Sequence, residues 1–248
     1  MKFQLPGCGW IVHKARMLSS EKEHVSLPGG PVPVEWRRNP RARRISLRIH
    51  PKGGAVVVTL PPRSSRAAGM RLLVDNAGWV AERLAALPSR TSFEPGAVVP
   101  LHGMDHRIAH VPGSRGARIA DGILHIGGEA EFLARRVNDF LRAEARRSIG
   151  AVAIAKAELL GVKPRRISIK DTSSRWGSCT ARRDLAFSWR LVMAPAFVQD
   201  YVAAHEVAHL AHMNHSDALW RQVNQLTVHT DAAVAWLHRE GPRLMRIG

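Results

Sequence analysis

The sequence predicts an α+β protein in which a β-rich N-terminal part is followed by helices and a small sheet. Before residue 127, apolar and polar residues alternate at several places, which is the period of a half-buried strand. Beyond that point, apolar residues recur at the spacing of an amphipathic helix. We therefore expect an N-terminal extension over residues 1–30, a β-rich region over 31–127 and a second domain over 128–248.

The composition narrows the class of protein. The 248 residues suit one large or two modest domains, and apolar residues make up 45% of them, which is enough for a substantial core. Cys8 and Cys179 are the two cysteines, so at most one disulfide can form. The sequence contains no apolar run of about 18 residues and no secretory signal pattern. These features predict a cytoplasmic protein without a membrane partner.

The formal charge of +17 is the most unusual bulk property, and it is spread along the chain. Such a field attracts nucleic acid, acidic membrane surfaces or acidic substrates. Alternatively, arginine serves only to keep the surface soluble. No basic block is interleaved with aromatic residues as a base-stacking surface would be, which favours this alternative. The sequence also has no base-reading motif such as a zinc finger, so any nucleic-acid partner would be bound without sequence specificity.

A β-hairpin is predicted near the start of the β-rich region. Residues 45–50 alternate between apolar and polar side chains, residues 51–54 have turn composition, and 55–60 form a run rich in β-branched residues. A helix should follow. Ser64 or Ser65 can cap it, and Pro88 ends it after Leu87.

Short strands and then a long helix are predicted next. Glycine and proline divide residues 96–127 into several short apolar runs. From Leu133 to Leu159 the apolar residues form one helical face, which Gly150 could divide and Gly161 is placed to end.

The last third of the chain combines strands and helices. Alternating patterns predict strands at 167–169 and 185–192. Further helices are expected over 195–212, 219–226 and 232–240.

Two histidines on one of these helices have the spacing of metal ligands. His205 and His209 are four residues apart, so on a helix they share a face and can converge on one ion. Glu206 points about 100° away from His205. It can therefore reach a metal-bound water without binding the metal, which is the geometry of a general base.

A third ligand must come from beyond the helix. His215 follows His209 by six residues, and Asn214 before it tolerates the left-handed conformation of a chain reversal. His212 is the competing candidate, one turn further along the helix, and we prefer His215. Three histidines leave an open fourth position, which is typical of a catalytic rather than a structural zinc site. The alternative is a histidine-rich surface helix without a metal.

At these residues the sequence resembles a known family. Residues 201–220, with 174–179 as a second segment, resemble the YgjP-like metallopeptidases, relatives of the SprT-like and WLM-type zincins. The resemblance covers roughly residues 32–240. It implies that 128–248 is a zincin-like metallopeptidase domain, with a gluzincin- or minigluzincin-like core of helices and a small sheet. It also implies one Zn²⁺ per chain, held by His205, His209 and His215.

The second segment offers candidates for substrate binding. In zincins the substrate lies extended beside an edge strand, which provides backbone hydrogen bonds. Gly177 would let a substrate backbone approach closely, Arg175 could hold a carboxylate or a developing oxyanion, and Trp176 is the third candidate. Alternatively, Trp176 belongs to the core and Arg175 pairs with Asp171.

Two further residues near the motif have plainer interpretations. Cys179 is not expected to be a nucleophile beside an activated water. Tyr201 lies one turn before His205, where packing is the preferred role over a hydrogen bond to a metal ligand.

The resulting hypothesis is a zinc-dependent metallopeptidase that hydrolyses a peptide or protein substrate with Glu206 as general base. One alternative is a basic nucleic-acid-associated protein whose metal site is accessory, and another is a protease that acts on DNA-bound proteins. A hydrolase of non-peptide amides would use the same residues. The sequence does not predict an oligomeric state.

Overall fold

The computed structural model describes residues 21–248, which form two compact units that divide between Ser89 and Arg90. Most of the predicted N-terminal extension, residues 1–20, lies outside the described residues, together with Cys8. Residues 21–30, the remainder of that extension, belong to a β-hairpin.

The N-terminal unit contains a four-stranded sheet and two helices. Its elements are β1 (Glu21–Leu27), β2 (Gly30–Arg38), β3 (Ser46–Ile49), β4 (Val56–Leu60), α1 (Arg66–Asp75) and α2 (Ala77–Ala85). The strand order is β1-β2-β4-β3, with β2 and β4 parallel and the other pairs antiparallel. The antiparallel pairing of β3 with β4 confirms the predicted hairpin.

The two faces of this sheet differ in polarity, because side chains alternate along each strand. One face is apolar and packs with α1 and α2 in a single cluster that includes Trp36, Val58 and Leu73. Gly69 of α1 lies so close to Trp36 and Leu60 that a Cβ atom would meet each of them at 2.8 Å. The opposite face is polar.

The C-terminal unit contains two sheets and four helices. Its elements are β5 (Val98–Leu101), β6 (Met104–Val111), β7 (Ala117–Ala120), β8 (Ile123–Gly127), α3 (Leu133–Leu159), β9 (Arg166–Lys170), β10 (Gly177–Cys179), β11 (Asp184–Ser188), α4 (Ala196–Ala208), α5 (Asp217–Leu226) and α6 (Thr230–Leu244). The sheet orders are β5-β6-β8-β7 and β10-β11-β9. In the smaller sheet, β10 is an edge strand that pairs only with β11 among the described strands.

The long helix α3 lies at the centre of the core of this unit. Its buried face includes Val137, Leu141, Ile149 and Ala153, each with no exposed surface. It packs against α4 and against the short 3₁₀ segment Trp189–Met193 that precedes α4. Gly150 does not divide α3, because the helix continues through it.

The structure differs from the sequence predictions at several places. Asn76 interrupts the predicted helix 64–87, since its backbone leaves the helical region and its side-chain amide donates to Leu72 O at 2.7 Å. The predicted strand 185–192 is a strand only as far as Ser188. The residues after it are buried on every side, as a tightly packed 3₁₀ turn allows and a two-faced strand does not.

The strands between residues 98 and 127 belong to the same compact unit as helices α3 to α6. From the sequence, they were expected in the β-rich N-terminal region over residues 31–127. They share one hydrophobic cluster with α3, through Ile108, Leu124 and Ile126. Among residues 21–248, no helix combines the length and the apolar composition that crossing a bilayer requires.

Candidate metal centre

Helix α4 carries His205 and Glu206, and His209 caps its C-terminus; all three residues are largely buried. Pro195 precedes the helix with extended backbone, and Val198 and Val202 bury the apolar side of its first two turns. The helix ends at Ala208, one turn earlier than predicted. Even so, the three functional candidates are each less than 9% exposed.

The imidazoles of His205, His209 and His215 converge. Nε2 of His205 lies 3.2 Å from Nε2 of His209. One ring nitrogen from each of the three histidines can be chosen so that all lie within 4.8 Å of one another. His215 is exposed and lies in the turn between α4 and α5. The three side chains could hold one metal ion.

His212, the competing candidate for the third metal ligand, interacts with the histidine cluster through its backbone carbonyl and not through its imidazole ring. The His209 Nδ1–H donates to the carbonyl oxygen of His212 at 2.9 Å. A hydrogen bond of this kind fixes the tautomer of a ligating histidine and leaves Nε2 free to bind. Within residues 21–248, the side-chain cluster that could hold a metal contains His215 and not His212.

Aromatic rings surround the histidine cluster. Trp220 of α5 has its ring centroid 5.5 Å from that of His205 and 6.3 Å from that of His215. Tyr201, 3% exposed, has its ring 6.0 Å from that of His205. Trp220 therefore lies against one histidine of α4 and one of the following turn, where packing of this residue was the expected alternative to ordering by the metal.

Burial keeps the two helix-borne histidines neutral. Loss of hydration lowers the pKa of His205 to about 3, and the neighbouring His209 and His215 add to this effect. Desolvation also lowers the pKa of His209. Neutral imidazole is the form that binds metals, because its second nitrogen keeps a free lone pair. Within the described residues the buried Nδ1 of His205 has no hydrogen-bond partner.

The side chain of Glu206, the residue after His205 on α4, lies against the edge strand β10. Burial raises its pKa to about 8, while the positive charge of Arg175 acts in the opposite direction. A Cβ atom at Gly177 would lie 2.6 Å from Glu206 Oε1. Strand β10 therefore packs directly against one side of the Glu206 side chain. A cation bound by the histidines would favour its ionised form.

The three predicted substrate-binding residues lie together at the start of β10. Gly177 is the first residue of the strand. Trp176 packs against α6, where a Cβ atom at Gly241 would be 3.3 Å from its ring, and its carbonyl oxygen accepts from the Ser188 N–H at 2.9 Å. Arg175 is exposed. The contacts of Trp176 agree with the packing alternative for that side chain.

Asp171 pairs with Arg190, a partner that the sequence analysis did not consider. The Arg190 side chain is fully buried and donates to the Asp171 carboxylate and, through Nε, to the carbonyl oxygen of Ile247 at 3.0 Å. Arg142 lies 3.8 Å from the same carboxylate. The alternation of residues 185–192 placed Arg190 on a polar strand face, so the sequence carried no signal of its burial.

Cys179, the last residue of β10, is a free thiol. Desolvation, together with the charge of Glu206, raises its pKa to about 12. The thiolate form is therefore scarce at neutral pH, in agreement with the expectation that this residue is not a nucleophile.

The comparisons with known proteins place the chain in a family. It has no significant match among curated proteins or solved structures. The family model described as the YgjP-like metallopeptidase domain matches residues 43–240, which is most of the chain. A metallopeptidase domain implies a metal cofactor, and the histidine cluster could bind one. On this evidence the chain belongs to the YgjP-like metallopeptidase family.

Proposed function

We propose that the protein is a zinc-dependent metallopeptidase of the zincin type, with His205, His209 and His215 as metal ligands and Glu206 as general base. The observation that carries the proposal is the convergence of three imidazoles, whose chosen ring nitrogens lie within 4.8 Å of one another, next to a helix that carries the buried Glu206.

The donor set favours zinc over other common metals. Imidazole nitrogen is a good ligand for Zn²⁺, whereas Mg²⁺ and Ca²⁺ prefer oxygen. Two nitrogens that bind one tetrahedral Zn²⁺ at about 2.0–2.1 Å lie about 3.3 Å apart, close to the 3.2 Å between His205 Nε2 and His209 Nε2. Three protein ligands leave one position open, and Zn²⁺ at such a position lowers the pKa of water to about 7 and polarises a carbonyl group.

Glu206 supplies the proton transfers. Its carboxylate accepts the proton that the attacking water loses and delivers that proton to the amine that leaves. Its burial beside β10 excludes bulk water, so the proton is exchanged with the substrate rather than with solvent. General base catalysis of this kind contributes about 10²–10⁴-fold to the rate.

The edge strand β10 offers a place for an extended peptide. Its free edge can pair with a substrate backbone in the manner of an added strand. Arg175 precedes this strand and acts electrostatically on Glu206, so its guanidinium can bind a substrate carboxylate or stabilise the negative charge that develops on the scissile carbonyl oxygen.

The test is to compare the wild type with Glu206→Gln for metal content and for cleavage of a peptide library. We expect one Zn²⁺ per chain in both proteins and a loss of cleavage of at least about 100-fold in the variant. Glu158→Gln, on the exposed side of α3, is the matched control and should cleave as the wild type does. A purified protein without stoichiometric metal, or full activity in Glu206→Gln, would refute the proposal. Cleavage of non-peptide amides alone would refute the peptidase assignment.

A further inference from the structure

The polar face of the N-terminal sheet is strongly basic. We call the following set the basic face: three residues on β1, β2 and β3, with three more on the loop between β2 and β3, namely Lys22, Arg37, Arg48, Arg41, Arg43 and Arg44. All six side chains are exposed.

The strand register brings Lys22, Arg37 and Arg48 to one side of the sheet, and the loop with the other three arginines connects the end of β2 with the start of β3 at the same end of the sheet. Lys22 pairs with Glu35, Glu35 with Val57, and Val57 with Arg48, so the four form one row across all four strands. Paired residues point to the same face. Adjacent strands are about 4.8 Å apart, which separates the Cα atoms of Lys22 and Arg48 by about 14 Å, a span comparable with the width of a DNA major groove at about 12 Å. Arg37 lies on the same face, two residues after Glu35.

The positive charge of this surface is poorly neutralised. Glu35 is the acidic residue in the row, and its carboxylate accepts a hydrogen bond from Arg37 Nε at 2.8 Å. That contact lowers the pKa of Glu35 and keeps it ionised. Within the part of the chain that the structure describes, the guanidinium groups of Arg41, Arg43, Arg44 and Arg48 make no ion pair or hydrogen bond.

The loop that carries three of these arginines is held in shape by its own hydrogen bonds. Asn39 Oδ1 accepts from the Arg41 N–H at 2.9 Å, and the Asn39 carbonyl oxygen accepts from the Ala42 N–H at 3.0 Å. Arg38 anchors the start of the loop by donating to the carbonyl oxygens of Pro62 and Ser64, at 3.0 and 3.1 Å. The remaining arginines are therefore presented from an ordered loop, which reduces the entropy that binding would cost.

We propose that the basic face binds the phosphate backbone of duplex nucleic acid without reading its sequence. Arginine matches phosphate oxygens with a planar pair of donors. The exposed residues on this side of the sheet include no tryptophan, tyrosine or phenylalanine on which unpaired bases could stack. They also include no large apolar side chain to insert into a lipid surface, since Val57 is 3% exposed. This inference does not depend on the proposed peptidase activity.

The test is fluorescence anisotropy of the full chain with a labelled DNA duplex, titrated between about 50 and 200 mM salt. Arg44→Gln combined with Arg48→Gln removes two charges from the basic face. Arg71→Gln combined with Arg83→Gln removes the same charge from exposed positions on α1 and α2. The slope of log K against log salt should fall by about 1.8 in the first variant and by well under 1 in the second. The affinity of the first should fall about tenfold or more.

Every outcome of this titration either supports or overturns binding of duplex nucleic acid at the basic face. Arg41→Gln with Arg43→Gln provides a second pair in case the first variant does not fold, as judged by circular dichroism. Equal losses in the α1/α2 control would mean that only net charge matters, and would overturn the assignment. So would the absence of binding at low salt, or binding to anionic phospholipid vesicles or to polyglutamate as tight as binding to the duplex.

Discussion

A Cβ atom on residue 177 would lie 2.4 Å from Cγ of Glu206 and 2.6 Å from its Oε1. Gly177 is thus required by a close approach between strand β10 and the side chain of the candidate general base. From the sequence, this glycine was expected to let a substrate backbone approach closely. In the structure, the Glu206 side chain occupies the space that a methyl group would need.

The first prediction follows from this contact. Gly177→Ala should displace the Glu206 carboxylate, because the contact is shorter than real Cβ contacts allow. We expect peptide cleavage to fall at least about tenfold while metal content is unchanged, since the histidines are not touched. The strain should lower the free energy of unfolding by about 1–3 kcal/mol. Metal analysis, peptide cleavage and urea unfolding measure the three effects.

Gly150→Ala is the matched control for that variant. A Cβ atom there would meet nothing within 4 Å, and Gly150 lies within α3, so alanine should stabilise the helix by about 0.5–1 kcal/mol and leave cleavage unchanged. Unaltered cleavage in Gly177→Ala would mean that Glu206 can move without consequence, and would count against its role as general base.

The convergence of the histidines could be predicted because it depends mainly on local geometry. A helical spacing of four residues brings His205 and His209 to the same side. The six residues from His209 to His215 are enough for the chain to reverse direction and bring His215 back to them. The contact of Glu206 with Gly177 could not be predicted in this way. It joins a helix to a strand through tertiary packing, and no spacing in the sequence encodes it.

The fold shows the same division between local and tertiary information. The β3–β4 hairpin and the end of α3 before Gly161 follow from turn composition and helix-stop signals, and both are confirmed. Alternation over residues 185–192 predicted a strand, but the buried 3₁₀ segment Trp189–Met193 packs against α3 on its way to α4. The alternating pattern predicts a strand with one solvent-exposed face. Residues 189–193 are buried on all sides, so the strand prediction was wrong for residues 189–192.

The second prediction concerns the buried Arg190. Asp171→Asn should destabilise the protein, because Arg190 would keep its charge in a site without water and lose the carboxylate that compensates it. Asp171 is itself 38% exposed, so solvent reduces the effect to about 1–3 kcal/mol. Asp184→Asn, which breaks the exposed pair with Arg165, should change stability less. Urea unfolding compares the two, and an equal effect would mean that burial of Arg190 is not costly.

The third prediction concerns the pH dependence of Cys179 reactivity. The thiolate is the reactive form, and a pKa of about 12 makes it more than about 1000-fold scarcer at pH 8.5 than in an ordinary thiol with a pKa of about 8.5. In a Cys8→Ser background, alkylation by iodoacetamide should be slow near neutrality and should rise about tenfold per pH unit until pH 12 is approached. Denatured protein, in which the thiol is hydrated, should react fast from about pH 8.5. A plateau near pH 8.5 in the folded protein would contradict the expected burial effect.

The last prediction concerns how metal binding orders the turn that carries His215. His205 lies on α4 and His209 caps its C-terminus, where burial and the His209 N–H bond to the His205 carbonyl oxygen hold them in place without an ion. His215 is exposed and precedes α5, where ligand binding is expected to be coupled to local folding. His205→Ala or His209→Ala should therefore abolish zinc binding while α4 persists. His215→Ala should weaken zinc binding and also loosen residues 212–220.

Amide exchange with and without a chelator decides between two sources of order in this turn. If the metal orders it, peptides covering residues 212–220 should lose protection in the apo wild type and in His215→Ala, whereas peptides from α4 should not change. If the contact of Trp220 with the rings of His205 and His215 orders it, protection should be equal in the apo and holo proteins. In that case Trp220→Ala, with zinc present, should be the change that loosens the segment, and our account of His215 would be wrong.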